Sequence, residues 1–192
     1  MEELKTDVVV IGSGPAGQKA AIQAAKLGRN VIVVEKDADP GGNCLYNGTI
    51  PSKSLREAII DLTRFYERQY RDVRDIKDVS IQDLNSRLAQ VINEEKTIIA
   101  RQFKKNGIRF ISGLGRFENP HTLLVLDEEF RLAYTIKADF FIIATGSKPR
   151  NPTGVPFDNE VILDSTRLLG IDKVPNTMIV LGGGIIGAEY AS

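Results

Sequence analysis

The sequence predicts an α/β protein: a three-layer domain on a parallel sheet with a β-meander, followed by the start of a second domain of the same design. Three observations carry this. Residues 1–36 contain a strand, a glycine-rich turn, a helix of small residues and a second strand, a complete βαβ unit in about 30 residues. The run "FFIIATG" (140–146) is apolar and reads as a buried strand returning to that sheet. The last stretch, "TMIVLGGGIIGAEYAS" (177–192), repeats the opening order of strand, glycine loop and helix.

Composition narrows the class. The 192 residues are 42% hydrophobic and 26% charged, as in ordinary soluble globular proteins. Twenty-five Lys and Arg balance 25 Asp and Glu, so no basic excess draws the chain to nucleic acid or to an anionic membrane. No apolar run reaches the roughly 18 residues of a membrane span, and the acidic start "MEELKTD" does not read as a signal peptide. A single cysteine, Cys44, excludes a disulfide within the chain and fits a reducing, cytoplasmic compartment. No metal site is assigned.

Taken in order, "TDVVVIG" (6–12) suits a buried parallel strand. The next helix carries Ala16, Ala20 and Ala24 at a spacing of four, the pattern of a helix lying close to a sheet, and Gly28 is placed to cap its end. "NVIVVEK" (30–36) is the second strand. A loop around Cys44 and Pro51 leads into a helix from Ser52. Residues 71–79 read as a loop, and "SIQD" (80–83) as a capping box for a second long helix. The apolar positions Ile81, Leu84, Leu88, Val91, Ile92, Ile98, Ile99 and Phe103 mostly follow a spacing of three to four. A packed helical hairpin over 52–106 is the simpler reading, a partner-binding surface the alternative. "GIRFISG" (107–113) is a strand, and a meander is expected over 116–138 with a turn at Asn119-Pro120. His121, at that turn, is given no chemistry. The proline-rich "SKPRNPTGVPF" (147–157) marks a crossing, so the domains are drawn as 1–150 and 151–192.

The first glycine loop is Gly12-Ser13-Gly14-Pro15-Ala16-Gly17. Gly12 makes the tight turn out of the strand, Gly14 leaves room for a pyrophosphate, and Gly17 lets the helix sit close to the strand. The helix start offers free N–H groups and partial positive charge to phosphates. Glu35 ends the next strand 18 residues after Gly17, where a carboxylate accepts the two hydroxyls of an adenosine ribose. Lys36 follows it. The second loop, Gly182-Gly183-Gly184-Ile185-Ile186-Gly187, has the same spacing. Two such loops suggest two nucleotides: a bound flavin dinucleotide (FAD) and a nicotinamide nucleotide, NAD(P), that comes and goes. The elements are thus an FAD-binding Rossmann-like domain and the beginning of a second, NAD(P)-binding Rossmann domain. That second domain needs about 100 further residues, so the chain reads as the N-terminal portion of a longer protein.

With "GSGPAG", "VEK", "GGNCLYNGTIPSK", "GLGRF", "ATGSKPR" and "GGGIIGAEYAS" in this order, the whole chain resembles the flavoproteins of the pyridine nucleotide-disulfide oxidoreductase family, which includes glutathione reductase, dihydrolipoamide dehydrogenase and mercuric reductase. The resemblance implies that Ala144, Thr145 and Gly146 run beside the flavin cofactor, and that Gly115 lets backbone approach the adenine. It implies also that Gly41, Gly42, Asn43, Cys44 and Thr49 frame the flavin pocket. Lys53 is implied to lie near flavin N5 and to pair with Glu189, and both are the candidate catalytic residues. A fixed positive charge there favours electron-rich flavin.

One departure matters. Disulfide reductases of this family carry two cysteines separated by four residues, which relay electrons to a disulfide substrate. Here the first is Cys44 and the second position is Thr49, whose hydroxyl forms no disulfide. The pattern is similar to that of the soluble pyridine nucleotide transhydrogenases, which implies hydride exchange between NADPH and NAD+ through FAD with no thiol relay. The resemblance further implies a homodimer or higher homo-oligomer for the full-length protein, and inactivity for these 192 residues alone. Two other readings stay open: a flavoenzyme with a different acceptor, such as a quinone or a dihydrolipoamide-type substrate, and a flavin-binding redox sensor without turnover.

Overall fold

The computed structural model describes residues 2–69, 81–173 and 175–191. The expected loop over 71–79 and the capping serine at 80 lie outside the described residues, as do the side chains of Ile81 and Leu84.

The chain forms two compact units. The first comprises Met1–Leu45 and Glu94–Ser147. It holds a six-stranded mixed sheet in the order β3-β2-β1-β6-β5-β4. The strands are β1 (Glu2–Ile11), β2 (Val31–Glu35), β3 (Arg109–Ser112), β4 (Leu114–Asn119), β5 (Thr122–Leu126) and β6 (Leu132–Ile143). The first four in that order are parallel, and β5 and β4 run antiparallel beyond β6. All five residues of β2 are buried, as expected of an inner strand covered on both faces. Val9, Ile32, Val34, Ile111, Leu123, Val125, Ile136 and Ala138 form one continuous core cluster that crosses from the parallel strands into the antiparallel ones.

Three details differ from expectation. β1 starts at Glu2 rather than near residue 6, because Glu2–Thr6 pair with Tyr134–Ala138 of β6 before the pairing with β2 begins at Val8. The third meander strand and the return strand are one continuous strand. Lys137 and Asp139, at the junction of the two expected strands, are exposed and alternate with buried Ile136 and Ala138, so the period of two runs through. The helix α1 (Pro15–Lys26) buries Gly17 and Ala21, one position on from the expected Ala16–Ala20 stripe; Ala16 is exposed. The helix ends as anticipated. Gly28, at φ +77°, donates to Ala25 O, and Arg29 donates to Ala24 O, the paired bonds of a Schellman cap.

A short helix α2 (Gly42–Tyr46) replaces part of the expected loop around Cys44. In the second unit, Tyr46–Asn93 with Lys148–Ser192, helix α3 (Thr49–Gln69) starts three residues earlier than Ser52. Pro51 fits in its first turn, where its missing N–H has no intrahelical partner to lose. Helix α4 (Ile81–Lys105) belongs to this unit up to Asn93 and to the first unit from Glu94, and within the second unit Arg87 lies 3.9 Å from Asp61 of α3. On α4, Leu88, Ile99 and Phe103 are buried, whereas Ile98 is exposed. The unit also contains α5 (Ser165–Leu168), whose first N–H groups are capped by the Asp164 carboxylate, and α6 (Ile185–Ala191). The strand expected at 177–181 does not form. Ile179 is 95% and Leu181 85% exposed, and without a neighbouring strand their backbone has no ladder to join. Among the described residues, no helix is long and apolar enough to cross a membrane.

Candidate dinucleotide and redox site

In the first unit, the loop at the carboxyl end of β1 is shaped by close backbone approaches. Gly12 has φ +102°, and a Cβ there would stand 2.2 Å from Ala144 O. Its N–H donates to Val34 O at 2.8 Å, while Ala144 N–H donates to Ile11 O at 2.8 Å. Gly12 is therefore clasped between the end of β2 and the Ala144-Thr145-Gly146 segment. A Cβ on Gly17 would stand 1.9 Å from Gly12 O, so only glycine lets α1 turn this close to the loop. Gly14 is different: it is the N-cap residue of α1, with φ −65°, and a Cβ there would meet nothing within 4 Å. Pro15 opens the helix, and no side chain caps its first N–H groups. This unfilled, donor-rich helix start, with open space above Gly14, fits a pyrophosphate.

Around this loop the structure gathers several of the other expected residues. Glu35, 6% exposed at the end of β2, accepts both the N–H and the hydroxyl of Ser13 on Oε2, at 2.7 and 2.8 Å. Lys36 points outward and lies 4.0 Å from Asp37. A Cβ on Gly42 would come within 2.8 Å of Gly14 Cα, so the Gly41-Gly42 turn rests directly on the phosphate-type loop. Asn43 donates its side-chain amide to the Ser147 carbonyl. Cys44 is a free, half-buried thiol on α2. Gly115 on β4 would place a Cβ 3.3 Å from a Leu123 methyl and 3.7 Å from Ile11 Cγ2. Thr145 and Gly146 are exposed. The glycine cradle, the N–H groups at the helix start and the adjacent carboxylate suit the adenosine diphosphate half of a dinucleotide. Sequence reasoning missed Ser13 and Gln18, whose amide donates to Ser13 O at 2.8 Å. The signal was available: a small polar residue between two loop glycines is buried by its neighbours and needs partners.

In the second unit, the later glycine loop repeats the first. Gly182 has φ +119°, and a Cβ on Gly187 would stand 2.1 Å from Gly182 O and 3.4 Å from Val180 Cγ1. The corresponding distances at Gly17 are 1.9 Å to Gly12 O and 3.4 Å to Val10 Cγ1. The first helical bond recurs too: Gln18 N–H to Gly14 O in one loop, Ala188 N–H to Gly184 O in the other, both 2.9 Å. The loop geometry is thus present although the strand before it is not. Ile185 and Ile186 are exposed. Lys53 of α3 lies 3.5 Å from Glu189 of α6, the pairing expected for these two residues. Next to it, burial pushes the Tyr190 hydroxyl pKa up, and the Glu189 charge adds to the shift. Thr49, the first residue of α3, is exposed, and its carbonyl accepts the Ser52 hydroxyl at 3.3 Å. Among the described residues, no group of three His, Cys, Asp or Glu side chains is placed to hold a metal ion.

Comparison with known proteins agrees with this geometry. The chain is 47% identical over 188 residues to the soluble pyridine nucleotide transhydrogenase of Mycobacterium tuberculosis (strain ATCC 25177 / H37Ra), covering 97% of this chain and 40% of that protein. It is 41% identical to the soluble pyridine nucleotide transhydrogenase of Chromohalobacter salexigens, with the same coverage of each chain. Among solved structures, the HOCl-induced flavoprotein disulfide reductase RclA from Escherichia coli superposes with a TM-score of 0.77 at 28% identity, over 96% of this chain and 38% of that one. The chain spans about two-fifths of the length of these relatives. Residues 6–192 match the pyridine nucleotide-disulphide oxidoreductase family, and the chain belongs to that family.

Proposed function

We propose that this chain is the N-terminal part of a longer flavoenzyme that exchanges hydride between NADPH and NAD+ through bound FAD, without a redox-active disulfide. The observation that carries the proposal is the combination of a formed dinucleotide cradle with a single cysteine: Cys44 has Thr49 at the position where a disulfide reductase has its second thiol. The transhydrogenase relatives support the same reading. Residues 1–150 are assigned to the FAD-binding domain and 151–192 to the start of the NAD(P)-binding domain. The full-length protein is read as a cytoplasmic homo-oligomer, and these 192 residues alone as inactive.

In this reading FAD supplies the two-electron acceptor and donor. The residues of the chain bind and orient. The N–H groups at the start of α1 hold pyrophosphate, Gly14 admits it, and Glu35 reads the adenosine ribose. Gly41 to Cys44 and Ala144 to Gly146 would line the cofactor, Gly115 would let backbone approach the adenine, and Gly182 to Gly187 would receive the nicotinamide nucleotide's phosphates. Lys53 supplies positive charge at the hydride-transfer position. Glu189 holds that ammonium by its carboxylate.

The test is the full-length protein loaded with FAD and mixed with NADPH and thio-NAD+. The expected outcome is thio-NADH formation at a rate insensitive to thiol alkylation. Rapid NADPH oxidation with quinones and none with thio-NAD+ would replace this reading with another acceptor. Flavin that stays oxidised in NADPH would leave a binding protein without turnover.

A further inference from the structure

We infer that Ser13 is a positioning residue for ribose recognition: it fixes one oxygen of the Glu35 carboxylate and so presents the other to the adenosine ribose of the cofactor. The inference rests on the FAD-binding reading above and adds a residue that the glycine pattern alone leaves without a role.

Ser13 is fully buried, at 0% exposure, and each of its polar groups has a partner. Its N–H donates to Glu35 Oε2 at 2.7 Å and its hydroxyl donates to the same oxygen at 2.8 Å. The hydroxyl in turn accepts the Gly41 N–H at 3.0 Å, and the Ser13 carbonyl accepts the Gln18 amide at 2.8 Å. One residue thereby ties together three segments of the cradle: the loop before α1, the end of β2, and the Gly41-Gly42 turn.

The acceptor count gives the functional consequence. A carboxylate oxygen offers two lone-pair directions, and Ser13 fills both on Oε2. Oε1 receives the Asp37 N–H at 3.4 Å, longer than an ordinary N–H···O bond, so it keeps capacity for a further donor. A glutamate at a strand end otherwise has three side-chain torsions to distribute over rotamers, and freezing them on binding costs entropy. Ser13 removes that freedom beforehand, which is preorganisation of the ribose acceptor. Ser13 does not touch the ribose itself; it acts through Glu35.

Because the Ser13 hydroxyl also serves Gly41, its loss has a structural component, and the test must separate the two. The full-length apoprotein is titrated, by flavin fluorescence, with FAD and with the FAD analogue carrying 2′,3′-dideoxyadenosine. Wild type is expected to bind the analogue about 10- to 100-fold more weakly than FAD. In Ser13→Ala that penalty should fall to about threefold or less, whatever the absolute affinities, because the carboxylate keeps only the backbone N–H on Oε2 and is free to turn about that single bond. A merely structural role weakens both ligands alike and leaves the ratio at its wild-type value, which would overturn the inference. Ser13→Gly removes the same hydroxyl with less volume and keeps the N–H. It gives the same readout if the alanine variant does not fold. If wild type binds both flavins equally, Glu35 is not reading the ribose and the role of Ser13 falls while FAD binding stands. If wild type binds neither, the functional reading itself has failed.

Discussion

Lys53 Nζ lies 3.5 Å from Glu189 Oε1, joining residues 136 positions apart in the sequence. The pair is open to solvent, with the lysine side chain 61% and the glutamate side chain 31% exposed. An ion pair of this kind contributes only about 0–1 kcal/mol to folding once solvent screening is counted. Stability is therefore a weak reason for it, and the proposed role is a charge held for chemistry. Lys53→Met is expected to change folding stability by no more than about 1 kcal/mol. It should slow flavin reduction by NADPH about 100- to 1000-fold, the usual cost of removing one electrostatic stabiliser from a reacting centre. Thermal melts and stopped-flow absorbance measure the two effects separately. Reduction within about tenfold of wild type would take Lys53 out of the chemistry.

The first glycine loop separates folding from binding residue by residue. Gly12→Ala puts a methyl 2.2 Å from Ala144 O at φ +102°, and Gly17→Ala puts one 1.9 Å from Gly12 O. Both contacts are with backbone, so neither is relieved by a side-chain rotation, and each variant should lose about 2–4 kcal/mol or fail to accumulate. Gly14→Ala meets nothing within 4 Å and has an ordinary φ of −65°. It should fold with a melting temperature near that of wild type but bind FAD at least about tenfold more weakly, because its methyl occupies space left for pyrophosphate. Denaturation of the apoprotein and flavin titration give the contrast. Equal effects of the Gly14 and Gly12 substitutions on folding would contradict it.

Glu35→Ala is expected to act on both properties at once. Removing the carboxylate takes away the ribose acceptor, worth about 1.5–3 kcal/mol as a charge-assisted hydrogen bond, or roughly 10- to 150-fold in FAD affinity. It also leaves the buried N–H and hydroxyl of Ser13 without their shared acceptor, which should cost the apoprotein about 1–3 kcal/mol of stability. Urea denaturation of the apoprotein and equilibrium titration with FAD report these separately. Unchanged FAD affinity would reject the ribose role even if stability fell.

The parts of this structure legible in the sequence are those in which local pattern and tertiary need coincide. The βαβ unit was plain because a β-branched run, a glycine loop and a small-residue helix all point to the same arrangement. The Lys53–Glu189 pairing came from family resemblance, since neither residue carries a local signal that would join α3 to α6. The single strand β6, where the sequence divides into a meander over 116–138 and a strand at 140–146, is the opposite case. Exposed Lys137 and Asp139 fall at that division, and the continuity shows only when Ile136 and Ala138 are known to be buried. At residues 177–181 the pattern says strand, yet a ladder needs a neighbour, and among the described residues none pairs with this stretch, which leaves Ile179 and Leu181 exposed. Ser13 was overlooked because the glycine motif assigns that position no side chain, so its hydroxyl became visible only through the partners it holds.

Cys44 is where the proposed mechanism is most exposed to failure. In a disulfide reductase the thiol at this position takes part in every turnover. Here the thiol sits half-buried on α2 and no second cysteine exists in the chain to meet it. If hydride passes between nucleotide and flavin directly, the sulfur has no step to perform, and the Gly41-Gly42 turn and the short helix are what matter in its neighbourhood. Cys44→Ser replaces the sulfur with a hydroxyl that can bond to a nearby backbone carbonyl, a small local change. Exchange from NADPH to NAD+ in the full-length protein should then stay within about tenfold of wild type, or about 1.4 kcal/mol in barrier. Thr49→Cys is the reverse experiment. It supplies a second thiol at the reductase spacing and should add a route to a disulfide without being needed for exchange. Both variants are compared by stopped-flow reduction with NADPH and reoxidation with NAD+, at matched flavin content. A fall of about a thousandfold in Cys44→Ser, with FAD still bound, would place the thiol in the chemistry and remove the direct-exchange mechanism.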